Sequence, residues 1–298
     1  KIEWVKNDDG SLGRTWNPIR GCSRISEGCR FCYAERFAAR GLPGMQSPST
    51  GEPFAIMTPS IPRWTGKVEV IESKLIEPMR WRKPSRVFVN SMSDLFHEDL
   101  PDAAIDRVFR VMSSCQQHIF QVLTKRAERM RLFSWRHWRG VGMGNYLPII
   151  FGEHRDSDLA SLPNVHLGVS IESRAYLHRI DALLETPAAL RFLSLEPLLE
   201  DLGTLDLHGI GWVIVGGESG PGARICDVEW VMKIVQRCHE AKVPCFVKQL
   251  GANIGGSKTA FPTAQVRCPV WGTFRLRDRK GGDMAEWPEY LRVREIPR

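Results

Sequence analysis

Three cysteines near the N-terminus are the residues with the clearest potential for chemistry. Cys22, Cys29 and Cys32 form a C-x6-C-x2-C pattern within residues 21–33, and Tyr33 follows the third cysteine. Three thiolates on one short loop can reach a single metal centre, but a closed tetrahedral zinc site needs a fourth ligand. Three is also the number that holds a cubane iron–sulfur cluster with one iron open to a substrate or cofactor. We therefore expect a metal centre with an incomplete protein ligand set.

Polar side chains recur along the chain where short apolar runs end. Six runs finish in such residues: Ser91 and Asp94; Thr124 and Lys125; Ser170 and Glu172; Ser194 and Glu196; Glu218 and Ser219; Lys248 and Gln249. The runs alternate with helical segments, which favours a parallel β/α architecture. In a β/α barrel the carboxyl ends of the strands form the active-site face. We expect a ring of functional groups around one mouth; the alternative is that these residues only begin solvated loops.

The same pattern predicts the elements. Apolar runs predict strands at 86–91, 118–124, 165–171, 191–196, 212–217 and 244–249. Helices are predicted at 32–40, 101–115, 125–138, 174–184 and 229–241, a long loop at 41–66 and an extended segment at 15–19. The predicted fold class is α/β, a parallel (β/α)6-like partial TIM barrel with an N-terminal iron–sulfur cluster loop and an irregular C-terminal tail. Residues 1–250, including the loop 21–33, would form the barrel domain, and residues 251–298 an extension packed on it.

Composition limits the classes of protein to which the chain can belong. Of its 298 residues, 43% are hydrophobic, which is ample for a globular core. The net charge of +7 fits a nucleic-acid or phosphate partner, although many basic enzymes bind neither. The five cysteines outside the loop are scattered through segments that read as core, so we expect a reducing compartment. The sequence shows neither a membrane-length apolar run nor a signal-peptide core, and we expect a cytoplasmic protein without a membrane span.

The cysteine triad, the aromatic residue after it and the β/α pattern together resemble the radical S-adenosylmethionine (SAM) superfamily. Four stretches resemble, more narrowly, a phage- and bacterium-associated radical-SAM-like family. They are TWNP at 15–18 with Gly21 and Cys22, NSMSDLFH at 90–97, FLSLEPL at 192–198 and VIVGGESG at 213–220. The resemblance spans roughly residues 14–250, and the narrower family is of uncharacterised function.

The resemblance implies an enzyme with two cofactors. A [4Fe–4S] cluster would bind to Cys22, Cys29 and Cys32, and its open iron would chelate the amino and carboxylate groups of SAM. One electron, from a donor such as flavodoxin or ferredoxin, would cleave SAM into methionine and a 5′-deoxyadenosyl radical that abstracts hydrogen from a substrate. The protein would place the cofactor and exclude water and competing reactions.

The resemblance also implies residues that contact SAM. Ser91 or Asp94 would contact the SAM amino group, and Ser170 and Glu172 would lie where the superfamily often contacts the ribose. The pair Gly216-Gly217 would allow close approach of the backbone to the cofactor.

Two features depart from the superfamily pattern. Its commonest spacing is C-x3-C-x2-C, whereas the first gap here is six residues, so the loop must bulge, with Gly28 allowing the turn. The superfamily's Gly-Gly-Glu-like element usually ends the second strand, whereas Gly216, Gly217 and Glu218 end a late one. The cysteine loop is therefore less diagnostic than the commonest motif.

Four further residues are catalytic candidates. Glu196, Glu218 and Lys248 could face the substrate, where a lysine could fix a phosphate or carboxylate; the alternative is an ion pair at the barrel rim. His97 follows a strand and could donate a hydrogen bond or a proton, although a lone histidine is more often a structural polar contact.

A basic stretch at residues 125–139 indicates the substrate class. Six Lys or Arg residues alternate there with Phe133, Trp135, His137 and Trp138 against one acid, Glu128. Basic side chains among aromatic rings suit phosphate contact and base stacking. We expect a nucleic acid or nucleotide as substrate, to be modified or repaired; the alternative is a solvated helix whose tryptophans pack in the core.

A hypothesis from another class is a non-catalytic module that binds nucleic acid or protein. The cysteines would then hold a structural metal or iron–sulfur cluster, and a ligand such as His97 would close a zinc site. Cys238 and Cys245 repeat the C-x6-C spacing, but we interpret them as core residues.

Overall fold

The protein is described by a computed structural model covering residues 2–138, 162–256 and 273–297. Within these ranges it contains fourteen strands and six α-helices. The strands are β1 (Arg14–Trp16), β2 (Ile19–Arg20), β3 (Ala55–Met57), β4 (Pro62–Trp64), β5 (Glu69–Val70), β6 (Arg86–Val89), β7 (Ile119–Thr124), β8 (Val165–Ser170), β9 (Leu190–Leu195), β10 (Trp212–Gly216), β11 (Cys226–Asp227), β12 (Cys245–Gln249), β13 (Ile254–Gly255) and β14 (Thr273–Phe274). The helices are α1 (Tyr33–Ala38), α2 (Glu72–Leu75), α3 (Asp102–Ser113), α4 (Ala127–Trp138), α5 (His178–Leu184) and α6 (Val228–Ala241).

The chain divides into two compact units. The cysteine-loop unit comprises Val5–Val169 and Arg179–Arg191, and the C-terminal unit comprises Lys1–Trp4, Ser170–His178 and Phe192–Arg298. The predicted domain boundary at residue 250 stays a prediction. Residues 257–272 of the predicted extension, with Cys268, lie outside the described residues.

Four parallel strands organise the cysteine-loop unit. β6 pairs with β1 on one side and with β7 on the other, and β7 pairs with β8. All four residues of β6 are buried, which is typical of a strand covered on both faces. The carboxyl ends of β1 and β6 are in register, since Trp16 lies opposite Val89. The segments that follow these two strands therefore begin side by side.

Helices α3 and α4 contribute to the core of this unit. The apolar residues of α3 recur at helical spacing, and Ile105, Val108, Phe109 and Met112 are buried. The Phe109 ring stacks on Phe133 of α4 with their centroids 5.7 Å apart. The two helices therefore pack against each other in the core of this unit.

Three parallel strands organise the C-terminal unit. β10 pairs with β9 and with β12, and α6 lies between β10 and β12 in the chain. The α6 helix begins at Asp227, whose Oδ1 accepts a hydrogen bond from the N–H of Glu229 at 2.8 Å. It ends at Lys242, whose φ of 55° is left-handed. The carboxyl ends of β9, β10 and β12 carry the polar residues that the sequence pattern singled out.

The structure confirms the α/β class and the parallel pairing, with two corrections. The main parallel pairing contains seven strands, four in one unit and three in the other, rather than six, and β11 and β13 form a further parallel pair. The extra strand is β1, which has three residues and is too short to show an apolar run. The predicted loop 41–66 contains the antiparallel pair β3 and β4. The finer description as a partial TIM barrel stays a prediction.

No helix in the described ranges has both the length and the apolar character needed to cross a bilayer.

Candidate active site

The cysteine loop follows the carboxyl end of β1. After β2 the chain turns at Gly21, whose φ is +88° and where a Cβ would collide with the carbonyl oxygen of Lys67. A 3-10 helix spans Glu27–Cys29, and Cys32 lies at the amino end of α1. Gly28, which we expected to allow the turn, lies inside this 3-10 helix. The left-handed conformation that the loop requires occurs at Gly21 instead.

The three loop cysteines are free thiols with part of their surface exposed. The pKa of the Cys22 thiol is raised to about 12, mainly by desolvation and then by the charge of Asp94, while Arg126 acts in the opposite direction and Cys32 and Cys29 add to the increase. Desolvation also raises the pKa of Cys32, with a contribution from Cys29. In the described ranges, no three His, Cys, Asp or Glu side chains are already arranged as a metal-ligand set. Burial and neighbouring negative charge thus favour the protonated thiols, and a soft cationic centre such as an iron–sulfur cluster would displace these protons on binding.

Arg126, just after the carboxyl end of β7, connects the first cysteine to two carboxylates. Its side chain is only 7% exposed. Nη1 donates a long hydrogen bond to Cys22 Sγ at 3.9 Å, and Nη2 donates to Ser23 Oγ at 2.8 Å and to Ser23 O at 3.3 Å. Nη1 also donates to Asp94 Oδ2 at 3.2 Å, and Nε pairs with Glu98. We call this set, with His97, the Arg126 network.

Asp94 orients Arg126 and is already fully used as an acceptor. Its Oδ1 accepts hydrogen bonds from the N–H of Phe96 at 3.0 Å and from the Thr124 hydroxyl at 2.6 Å. Its Oδ2 accepts from the N–H of Lys125 at 3.1 Å, as well as from Arg126. A carboxylate accepts about four hydrogen bonds, so Asp94 has no capacity left for a ligand in this arrangement. Its predicted contact with the SAM amino group stays a prediction.

His97 supports the residue next to the first cysteine. The N–H of Asp99 donates to His97 Nδ1 at 3.2 Å, so the ring proton is assigned to Nε2, which donates to Ser23 Oγ at 2.8 Å. Desolvation, followed by the charge of Arg126, lowers the pKa of His97. The imidazole is therefore neutral at neutral pH, and both ring nitrogens have partners.

Ser91 lies where the ends of β1 and β6 meet. Its Oγ donates to Asn17 Oδ1 at 3.0 Å, and its carbonyl oxygen accepts from the Tyr33 hydroxyl at 2.7 Å. The neighbouring Asn90 has a φ of 60° and donates its N–H to Trp16 O at 2.8 Å. These bonds join the cysteine loop to the strand ends. Contact of Ser91 with SAM stays a prediction.

Glu35 is a buried acid that sequence reasoning missed. Its side chain is 1% exposed and accepts hydrogen bonds at 3.0 Å from Arg24 Nε and at 2.8 Å from the N–H of Trp64. Arg24 Nη2 also donates to Pro62 O at 3.0 Å. The pair therefore ties the cysteine loop to α1 and β4. The partners lie 11 and 29 residues from Glu35, so no local pattern could have revealed them.

The structure pairs two of the predicted catalytic residues within the C-terminal unit. Glu196 Oε1 accepts hydrogen bonds from Lys248 Nζ at 2.7 Å and from Gln249 Nε2 at 3.4 Å. Both side chains of the Glu196–Lys248 pair are partly exposed. This is the ion pair that we weighed as the alternative to a substrate contact.

Glu218 has a separate partner. Its Oε2 accepts from the backbone N–H of Arg224 at 2.9 Å and from Nε at 3.0 Å, and its Oε1 accepts from Nη2 at 2.6 Å. The Glu218 side chain is buried, and the guanidinium neutralises its charge. In this arrangement Glu218 holds the segment after β10 in place.

The predicted SAM contacts of the C-terminal unit are buried. Ser170 and Glu172 both lie in the interior. A Cβ on Gly216 would lie 3.1 Å from Gln249 O, and one on Gly217 would lie 2.8 Å from the Cβ of Cys226. The two glycines thus allow close packing of the protein itself. Their roles toward SAM stay predictions.

The basic stretch at residues 125–139 is largely neutralised by the protein's own acids. Phe133 is buried, and Trp135 donates its indole N–H to the carbonyl oxygen of Glu185 at 3.3 Å. The side chains of His137 and Trp138, and the whole of Arg139, lie outside the described part of the chain. Four arginines form ion pairs: Arg126 with Asp94 and Glu98, Arg129 with Asp102, Arg131 with Glu128 and Glu185, and Arg136 with Asp102. This helix therefore offers less free positive charge than its composition indicates.

Comparisons with known proteins identify a family and one structural similarity. The family described as Protein of unknown function (DUF5131) matches residues 1–279. No curated protein matches the sequence. Among solved structures, the chain is similar to "Spore photoproduct lyase complexed with dinucleoside spore photoproduct", with 11% identity, a TM-score of 0.31, and coverage of 87% of this chain and 67% of that chain. At that TM-score the similarity carries no inference about fold or activity.

Proposed function

We propose that this chain, which belongs to the DUF5131 family, is a radical SAM enzyme with a [4Fe–4S] cluster on Cys22, Cys29 and Cys32. The observation that carries the proposal is the cysteine loop itself. Three free thiols follow the end of a parallel strand in one loop, and each of Cys22 and Cys32 is influenced by the charge of its neighbours. The donor set supplies three ligands and leaves one coordination position for a cofactor.

The chain's own residues would bind and hold the site. Such a cluster supplies an open iron for SAM and the electron that cleaves SAM to a 5′-deoxyadenosyl radical. Arg126 fixes Cys22 and Ser23, and the Arg24–Glu35 pair fixes the loop against α1 and β4. We assign His97 to positioning, because it is neutral and donates to Ser23.

The other residue roles in the proposal are supported by the sequence resemblance alone. They are the SAM contacts of Ser91, Asp94, Ser170, Glu172, Gly216 and Gly217, and the substrate roles of Glu196, Glu218 and Lys248. An electron donor such as flavodoxin or ferredoxin is part of the same proposal.

We propose a nucleic acid or nucleotide as the substrate, with contacts on the cysteine segment rather than on α4. Residues 14–67 contain eight Lys or Arg and three Glu, so this segment carries +5 of the chain's net charge of +7. The Arg30 and Arg36 guanidinium carbons lie 5.3 and 5.5 Å from the centroid of the Phe31 ring. Tyr33 is 59% exposed. Phe31 is itself partly exposed, and cations beside accessible rings suit phosphate contact and base stacking.

Anaerobic reconstitution tests the chemistry. The protein is loaded with iron and sulfide and then incubated with SAM and dithionite. We expect 5′-deoxyadenosine from the wild type and from Cys115→Ala, a buried cysteine outside the loop, but none from Cys22→Ala. A fully loaded wild type that makes no more product than Cys22→Ala would refute radical chemistry.

Salt-dependent binding tests the substrate class. We expect single-stranded oligonucleotides to bind less tightly as salt rises, and Arg30→Gln with Arg36→Gln to reduce the slope of log K against log[salt]. Arg131→Gln, whose charge is paired with Glu128 and Glu185, is the matched control. The substrate proposal fails if no oligonucleotide binds, or if the control reduces the slope equally.

The alternative of a zinc-stabilised binding module gains no support from His97. Both ring nitrogens of His97 are engaged, with Ser23 Oγ and with the N–H of Asp99. Purified protein would be colourless with zinc and brown with an iron–sulfur cluster, so its colour separates the two hypotheses.

A further inference from the structure

A buried cation contacts the first loop cysteine from inside the protein. Arg126 Nη1 lies 3.9 Å from Cys22 Sγ, and the Arg126 side chain is only 7% exposed. Water and salt screen a buried charge much less than an exposed one. The guanidinium therefore acts on this sulfur at nearly constant strength across ordinary ionic conditions.

The guanidinium is also fixed in orientation. It is anchored on one side by Asp94 and Glu98, and on the other by the hydroxyl and carbonyl oxygens of Ser23. The planar fork of arginine makes these contacts together, whereas the single ammonium of lysine could not. Four anchors for one side chain exceed what is needed to neutralise two carboxylates. These four contacts direct Arg126 Nη1 toward Cys22 Sγ.

Donors and positive charge beside a ligand sulfur stabilise the reduced, more negative state of an iron–sulfur centre. The buried carboxylate of Asp94, whose charge also acts on Cys22, opposes part of this positive charge, and so does Glu98, whose carboxylate is 55% exposed. The pKa of Glu98 is lowered to about 2 by its hydrogen bond to Arg126, so it remains ionised at neutral pH. Arg126 and Glu98 should thus shift the reduction potential of the same centre in opposite directions.

We propose that Arg126 is a positioning residue that raises the reduction potential of a cluster bound at Cys22, and that Glu98 moderates this effect. The proposal rests on the proposed function, because it needs a cluster at the loop. Arg126 contacts a ligand sulfur without binding the metal itself, and the cysteine pattern did not identify it.

An electrochemical titration of the reconstituted protein tests the proposal without any measurement of turnover. Dithionite with mediators supplies one electron per cluster, and the reduced fraction is followed by electron paramagnetic resonance (EPR) at a series of set potentials. We expect Arg126→Gln to lower the ratio of reduced to oxidised cluster roughly tenfold at a fixed potential, which corresponds to about 59 mV for a one-electron couple. Glu98→Gln should shift the ratio the other way by a smaller amount.

A matched control and a charge-preserving variant complete the design. Arg131→Gln removes an arginine of α4 whose ion-pair partners in the described residues are Glu128 and Glu185, and it should leave the potential unchanged. Arg126→Lys keeps the charge without the fork and should recover part of the shift.

Each outcome decides the question. Equal potentials in loaded wild type, Arg126→Gln and Glu98→Gln would overturn the role of Arg126 while leaving the proposed function intact. If Arg126→Gln does not load a cluster, Glu98→Gln decides alone: a positive shift supports the proposal and no shift overturns it. A wild type that loads no cluster overturns the proposed function and this inference together.

Discussion

Replacing Glu35 by Gln tests how the cysteine loop is fixed. The Glu35 carboxylate is 1% exposed and its partner Arg24 is 18% exposed. The amide can still accept from the N–H of Trp64, but it cannot neutralise the guanidinium, and it presents an NH2 group to a donor. Removing one partner of a buried ion pair costs about 3–5 kcal/mol. Because Arg24 retains some contact with water, we expect a loss of about 2–3 kcal/mol in the free energy of unfolding.

Urea unfolding of the metal-free protein, followed by circular dichroism, measures this loss. Glu72→Gln is the control, because Glu72 forms an exposed pair with Arg107 and such pairs contribute about 1 kcal/mol or less. A double-mutant cycle with Arg24→Met should show a coupling energy above about 1 kcal/mol. Two results would contradict this role of the Glu35–Arg24 pair. One is a loss of stability in Glu35→Gln no larger than that in Glu72→Gln, and the other is that the losses in Glu35→Gln and Arg24→Met simply add in the double mutant.

Two further substitutions probe the pH dependence of stability and the loop turn. Desolvation, with a contribution from Arg86, lowers the pKa of His166 from 6.5 to about 4. The unfolded state therefore binds the proton more tightly, so stability is full above pH 6.5 and falls by about 3 kcal/mol as the pH drops toward 4. The urea midpoint should vary less with pH in His166→Gln than in the wild type. Replacing the exposed His208 by Gln should leave the wild-type pH dependence unchanged. The same pH dependence in His166→Gln and the wild type would contradict the role of His166. At pH 7, Gly21→Ala should destabilise the protein by more than Gly10→Ala, because both glycines have a positive φ but only at Gly21 would a Cβ collide with backbone. The left-handed backbone alone costs an alanine about 1–2 kcal/mol at either position. Equal losses of stability in the two variants would contradict the collision at Gly21.

Much of the fold could be predicted because parallel strands are buried on both faces. The runs at β6, β7 and β10 are almost continuously apolar, and their strands lie within a residue or two of the predicted bounds. By contrast, β1 has three residues and becomes a strand through its pairing with β6. A periodic pattern cannot appear in so short a segment, so only the partner strand identifies it.

Sequence can predict those parts of the candidate site that depend on a single residue type, here cysteine. Spacing alone predicts that the three cysteines share one short loop, because only six and two residues separate them, and their binding of a cluster stays a prediction. The sequence interpretation grouped Arg126 with a stretch that either contacts phosphate or forms a solvated helix, whereas the structure buries Arg126 and pairs it with two carboxylates. Its partners Asp94 and Glu98 precede it by 32 and 28 residues, and only the fold brings them together. Composition counts charges but does not show which of them are paired.

The proposed function requires that the three-cysteine loop leave one coordination position open to SAM. The most direct test is the EPR spectrum of the reconstituted, dithionite-reduced protein recorded with and without SAM. We predict that SAM changes the spectrum of the wild type and that Cys22→Ala gives no comparable cluster signal. A fully loaded wild type whose spectrum is identical with and without SAM would contradict the claim.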